Sequence, residues 1–147
     1  MNTVLTTEMK AFNRLYKETD NTYSRYAASH GISPTMLCIL YSIYTEDIPR
    51  TQTNLVEDWG IPMQTINSCL KAMEKSGIIR LEYADGSRKS KCILFTDLGM
   101  ETAERIIAPL VKAENHAMDA LGEKQQKLLL TLTQKHTTLL QQYLFDK

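Results

Sequence analysis

The stretch QTNLVEDWGIPMQTINSCLKAMEKSG, residues 52–77, decides how this chain folds, because a glycine and a proline interrupt a helical pattern after two turns. Gly60 is free to adopt the positive φ that ends a helix, and Pro62 suits the first position of the next helix, where its missing N–H costs nothing. The apolar residues on either side lie where two short helices crossing at a steep angle share one core. The stretch therefore predicts a helix-turn-helix whose second helix runs from about Pro62 to Lys75.

That second helix has an apolar face and a polar face. The residues predicted to be buried are Ile66, Cys69, Leu70 and Met73. The opposite face consists of Gln64, Thr65, Asn67, Ser68 and Lys71. Short polar side chains of this kind suit hydrogen bonds to base edges and phosphates. Paired amphipathic helices also occur in many proteins that never bind DNA. The DNA-binding interpretation therefore depends largely on the segment that follows.

The next segment, IIRLEYADGSRKSKCILFT at residues 78–96, has a period of two, which predicts strand, turn and strand. Asp85-Gly86 tolerates the φ angles of a tight hairpin turn. Residues 71–91 hold six basic and three acidic residues, a net charge of +3 in a chain whose formal net charge is zero. A solvated face is one interpretation of such a run, and a nucleic-acid contact is the other. The candidate contact residues of the hairpin are Arg88, Lys89 and Lys91.

Longer helices are predicted on both sides of this core. Apolar residues at steps of three and four indicate a helix over 9–26, and Ser33 caps a second helix that is apolar on much of its circumference. Thr96 caps a further helix, which Pro109 should kink. Gly122 separates that helix from a final one that runs to the carboxyl end.

Composition limits the class of protein. A chain of 147 residues with 43% apolar content is long enough to bury the core of one domain. Its longest apolar run, residues 36–41, is far shorter than the roughly 20 residues of a membrane span. Its three cysteines form no CxxC pair. We therefore expect a soluble protein of the cytoplasm with no membrane partner.

The order of these elements resembles the MarR family of bacterial winged-helix transcription regulators across nearly the whole chain. The matching residues run from Thr51 to Gly99, with MEKSGII at 73–79 and FTDLG at 95–99 flanking the hairpin. The resemblance implies a mainly α (α+β) winged helix-turn-helix fold in a single domain. Its expected parts are a DNA-binding core at 34–98 and dimerisation helices at 1–31 and 99–147, within a domain of 1–147.

The resemblance also implies a function and a set of contacts. It implies a homodimer that binds a palindromic operator in double-stranded DNA and represses transcription by occluding it. The family's reading positions fall on Gln64, Thr65, Asn67 and Ser68, and its wing arginine falls on Arg88. Apolar stripes on the first and last helices agree with dimerisation, because they exceed what one small core covers.

Two departures from the family's pattern keep another class open. Ser87 stands where an aspartate commonly precedes the wing arginine, and Ser68 stands where a basic residue is usual. Both predict less phosphate attraction and a shallower dependence of affinity on salt. The alternative is a winged-helix module that binds protein, or a dimer that sequesters another regulator and does not itself bind DNA.

Many members of the family release DNA when a small apolar molecule binds. The residues that could line such a pocket are Tyr16, Tyr23, Tyr26, His30, Tyr41 and Tyr44. An aromatic stripe at helical spacing is also typical of an ordinary core. A ligand acts only through unequal affinity for two conformations, so the hypothesis requires a cleft whose helices change spacing.

Other chemistry finds little support in the sequence. Cys92, beside Lys91, is the one cysteine with the basic neighbour that favours a reactive thiol, whereas Cys38 and Cys69 are predicted to be inert core residues. The three histidines lack the spacing of a metal ligand set, and no cofactor is expected. No nucleophile, base and phosphate loop occur in a recognisable arrangement, so we do not expect an enzyme.

Overall fold

The computed structural model describes residues 3–84, 86 and 89–145. It divides into two compact units, Met1–Ile107 and Ala108–Lys147. The fold is mainly α with one small sheet, as predicted. The elements in chain order are α1 (Thr7–Ser29), α2 (Pro34–Thr45), β1 (Arg50–Thr51), α3 (Gln52–Trp59), α4 (Met63–Lys75), β2 (Ile79–Tyr83), β3 (Lys91–Phe95) and α5 (Asp97–Phe145).

The helices α2 and α3 begin at side-chain caps that the sequence predicts. Ser33 accepts a hydrogen bond from the backbone N–H of Met36, and Pro34 occupies the first turn of α2. Thr51 caps α3 in a reciprocal arrangement with Asn54, whose side chain accepts from the backbone N–H of Thr51 at 2.9 Å. These bonds satisfy backbone donors that have no partner inside the helix.

The helix-turn-helix is confirmed, with one change at its corner. Gly60 ends α3 at a φ of 62°, and its N–H donates to the carbonyl of Val56 at 2.9 Å. Pro62 precedes α4 instead of occupying its first position, because its ψ of 141° is extended rather than helical. The fully or almost fully buried residues of the two helices are Leu55, Ile66, Leu70 and Met73. Cys69, predicted to be buried, is only half-buried.

The sheet contains a strand that the sequence did not predict. Its order is β1-β3-β2, with both pairings antiparallel. β1 is only two residues long, and Arg50 pairs with Ile93 of β3. Two residues are too few to show a period, so only the neighbouring strand reveals that they are extended.

The predicted hairpin is present, but its connection is longer than a two-residue turn. Tyr83 pairs with Lys91, and the N–H of Ala84 donates to the carbonyl of Ser90 at 3.1 Å. Five residues therefore join the last bonded pair. Gly86 has a φ of 77°. Of the connecting residues, Asp85, Ser87 and Arg88 lie outside the described part of the chain.

The hairpin is fixed to α5 by a close backbone contact. Thr96 caps α5 by accepting from the N–H of Gly99 at 3.0 Å, its own hydroxyl donates to the carbonyl of Gly77 at 2.5 Å, and its backbone N–H donates to the carbonyl of Ile78 at 3.1 Å. Further along α5, Pro109 lies inside the helix, and the non-helical angles fall at Gly122, with φ 74° and ψ 158°. The predicted break at Gly122 is confirmed. Among the described residues, no helix has the length and apolar character needed to cross a membrane.

Candidate nucleic-acid interface

The polar face of α4 is open to solvent. Ile66, Leu70 and Met73 recur at steps of four and three and are buried, so the opposite side of the helix points outward. The predicted contact residues on that side are Gln64, Thr65, Ser68 and Lys71, all exposed, and Asn67, which is half-buried. Apart from Asn67, the described part of the chain leaves this face uncovered.

A groove separates α4 from the hairpin. This wing groove has a volume of about 420 Å³ and is bounded by α4, the hairpin and the first turn of α3. Three lysines line it, which are Lys71 from α4 with Lys89 and Lys91 from the hairpin. Asn67 lines it as well, and Glu74 is the acidic residue of its lining. Folding therefore brings together cations that lie about twenty positions apart in the sequence.

A second groove lies on the other side of α4, against the start of α2. It has a volume of about 450 Å³ and is lined by mostly apolar atoms together with several hydroxyls. Thr65 and Ser68 line this groove, with Cys69 beside them. Four of the five predicted residues of α4 thus divide between two flanks: Asn67 and Lys71 face the hairpin, and Thr65 and Ser68 face α2.

The hairpin supplies one feature that sequence reasoning missed. The Nζ atom of Lys91 lies 5.2 Å from the centre of the Tyr83 ring, within the range of a cation–π contact. The register of β2 and β3 creates this contact, and the two residues are eight positions apart in the chain. Alternation alone indicated that each belongs to a strand, but not which residue faces which.

The base of the wing is tied to the helix-turn-helix by an ion pair that the sequence also did not reveal. The guanidinium of Arg50 on β1 donates to the carboxylate of Asp58 in α3. Arg50 is also paired with Ile93 of the wing strand β3. A single side chain therefore connects the sheet to the first helix of the motif. Finding it required β1, which has no detectable period of its own.

The predicted ligand-pocket residues fall into separate contacts. Tyr26 is half-buried, donates from its hydroxyl to the carbonyl of Ile106 at 2.7 Å, and has its ring centre 4.7 Å from that of the exposed His30. Burial raises the pKa of the Tyr26 phenol. Tyr16 and Tyr23 are exposed on α1.

The remaining two tyrosines lie on α2. Tyr41 meets Trp59 edge to face, with the ring centres 6.1 Å apart, and Tyr44 is half-buried. The indole N–H of Trp59 donates to the buried hydroxyl of Ser42 at 2.6 Å. None of the six predicted residues lines either groove beside α4.

The three cysteines are free thiols and are half-buried. Burial raises the pKa of the Cys38 thiol and of the Cys69 thiol, so both favour the protonated form at neutral pH. Cys92 lies on β3, paired across the ladders with Thr51 and Glu82. Within residues 3–84, 86 and 89–145, no group of three His, Cys, Asp or Glu side chains is arranged to hold a metal ion.

A helix-turn-helix followed by an antiparallel hairpin, with lysines beside an exposed second helix, defines a winged helix-turn-helix protein. By sequence, the chain matches no family model and no curated protein. By structure, it is similar to a MarR family regulator from Neisseria meningitidis, with a TM-score of 0.80 and 16% identity over 95% of this chain and 97% of that one.

Two further solved structures extend the comparison. MepR from S. aureus, in its DNA-binding conformation, has a TM-score of 0.76 and 17% identity, and the match covers 92% of this chain and 100% of that one. A MarR family regulator from Listeria monocytogenes, solved with a 26mer DNA, has a TM-score of 0.69 and 18% identity over 100% and 98%. The chain therefore has the fold of the MarR family regulators, as the resemblance implied.

Proposed function

We propose that this chain is a DNA-binding transcription regulator in which α4 enters the major groove and the hairpin contacts the neighbouring backbone. The observation that carries the proposal is the wing groove, where Lys71 faces Lys89 and Lys91 beside an uncovered polar helix face. Lysines supply the phosphate attraction, and short polar side chains hydrogen-bond to base edges. Two structures of the same fold, MepR from S. aureus and the Listeria regulator, were solved as DNA complexes.

The roles of individual residues follow from their positions. Gln64, Thr65, Asn67 and Ser68 lie on the outward side of α4 and are assigned to base edges. Lys71, Lys89 and Lys91 are assigned to phosphates. Arg88, outside the described residues, is assigned to the minor groove, where arginine is favoured by the negative potential of narrow segments.

We infer that the functional form is a homodimer. Each compact unit leaves large apolar side chains in water. In the first unit Leu15 is 57% exposed and Tyr16 is 64% exposed. In the second unit the exposed residues include Leu128, Leu132, Leu140 and Leu144. Exposed apolar surface on this scale marks an interface between proteins, and a two-fold dimer matches a palindromic operator with half-sites about 34 Å apart.

Two finer proposals complete the function. Occlusion of a promoter by the bound dimer would repress transcription. A small apolar ligand that favours one helix spacing over another would release the DNA, with the tyrosines of α1 and α2 as its contacts.

Fluorescence anisotropy with a labelled duplex from the chain's own upstream region tests DNA binding. We expect Lys71→Gln to weaken binding uniformly across sequences and to reduce the slope of log affinity against log salt by about one. Arg88→Ala should weaken binding most on duplexes with A·T-rich flanks. As a control, Lys124→Gln removes one exposed charge that lies far from α4 along the chain. It should change neither the affinity for DNA nor the salt slope.

Binding that persists unchanged in Lys71→Gln would overturn the assignment of α4. A stable dimer that retains no duplex at low salt would instead support the alternative, a module that binds protein. Sedimentation equilibrium gives the oligomeric state independently, and a monomer at micromolar concentration would overturn the dimer proposal.

A further inference from the structure

The end of the hairpin stem carries an aromatic residue whose exposure has no structural explanation. Tyr83 is the last residue of β2 and is 59% exposed. Its ring lies under the ammonium of Lys91, the first residue of β3. Because the Tyr83 ring is mostly exposed, burial of apolar surface contributes little to its stabilisation. Its contact with the Lys91 ammonium is therefore the interaction that calls for an explanation.

The backbone register makes this contact close. The hydrogen bond from the N–H of Ala84 to the carbonyl of Ser90 marks a hydrogen-bonded pair. Pairs alternate along an antiparallel ladder, so Tyr83 and Lys91, one step inside, form a non-hydrogen-bonded pair. Side chains of such pairs approach each other more closely than those of the neighbouring rungs.

Holding Lys91 still has a consequence for ligand binding. A free lysine side chain has four rotatable bonds, and fixing it on binding costs conformational entropy. Lys91 faces the wing groove together with Lys71 and Lys89. A ring that already restricts the Lys91 ammonium in the free protein reduces this cost when the groove meets a phosphate.

We propose that Tyr83 is a positioning residue for DNA binding, which holds the ammonium of Lys91 at the wing groove so that it contacts a backbone phosphate. This inference rests on the proposed function. Lys91 supplies the charge that contacts the phosphate, and Tyr83 only positions that charge. Replacing the two residues should therefore affect the salt dependence of DNA affinity differently.

Anisotropy titrations with the same labelled duplex test the proposal with two variants of one residue. Tyr83→Leu keeps apolar bulk but removes the ring, and we expect it to weaken binding about two- to fivefold. Tyr83→Phe keeps the ring and should bind like the wild type. The salt slope should stay unchanged in both, whereas Lys91→Gln should lower it by about one.

A double-mutant cycle completes the test. If Tyr83 acts through Lys91, Tyr83→Leu has no further effect in the Lys91→Gln background. Equal affinity of Tyr83→Leu and wild type, equal losses in Tyr83→Leu and Tyr83→Phe, or additive losses in the double variant would each overturn the positioning role.

A measurement without DNA separates this failure from failure of the proposed function. In the free protein, the methylene protons of Lys91 next to its ammonium should shift upfield in NMR spectra, and the shift should vanish in Tyr83→Leu. Upfield protons in a wild-type protein that binds no duplex would overturn DNA binding, and the positioning role with it, but leave the contact established. Absence of the shift would overturn the positioning role alone.

Discussion

Replacing Gly99 with alanine should destabilise the fold more than the addition of a single methyl group normally does. A Cβ at this position would lie 1.8 Å from the carbonyl oxygen of Ile78 and 3.1 Å from a ring carbon of Phe95. Backbone cannot rotate away as a side chain can. The Ile78 carbonyl also accepts a hydrogen bond from the N–H of Thr96 at 3.1 Å, which holds it in place.

The expected loss of stability follows from this steric clash with the backbone of Ile78. An extra methyl in a well-packed interior costs about 1–3 kcal/mol, and more where nothing gives way. We expect Gly99→Ala to lower the free energy of unfolding by at least about 3 kcal/mol, a large share of the about 5–15 kcal/mol typical of a domain. The strain falls on the junction between the hairpin and α5, so DNA affinity should decrease as well.

The control is a glycine that is constrained by its backbone conformation and not by the space around it. Gly31 has a φ of 69°, but a Cβ there meets nothing within 4 Å. Gly31→Ala therefore carries only backbone strain, about 1–2 kcal/mol. Urea titration at matched protein concentration, followed by the fluorescence of the single tryptophan, Trp59, compares the two variants. If Gly99→Ala is no less stable than Gly31→Ala, the close contact at Ile78 does not exist as described.

Two further predictions concern titratable groups. Tyr26→Phe should cost about 0.5–1.5 kcal/mol in urea titrations, because it removes the hydrogen bond to the carbonyl of Ile106; since burial raises the Tyr26 pKa, this stability should be complete below about pH 10 and decline above it. Burial also raises the pKa of Cys38 and Cys69, so iodoacetamide should label both slowly at pH 7.5 and faster as the pH rises past 9, by mass spectrometry; rapid labelling at pH 7.5 would contradict their burial.

Local chemistry in the sequence determined the order of the helices and the corner of the motif. Helix caps act within three or four residues, so Ser33, Thr51 and Thr96 could be identified without any knowledge of the fold. Gly60 marks the corner, because a left-handed residue ends α3 whatever lies around it. Alternation over the hairpin predicted two strands for the same reason, since the period of a strand is a local property.

What the sequence could not give depends on residues far apart in the chain. β1 exists because β3 lies beside it, and the five-residue connection of the hairpin follows from pairing that alternation does not specify. The assignment of Cys69 to the core was wrong for a similar reason, because the depth of burial depends on what packs against α4. The wing groove and the contact of Tyr83 with Lys91 arise only when the strands pair and the hairpin folds beside α4. Local propensity chose the elements, and long-range pairing decided which cations meet, because charge separation in space is set by register and packing rather than by distance along the chain.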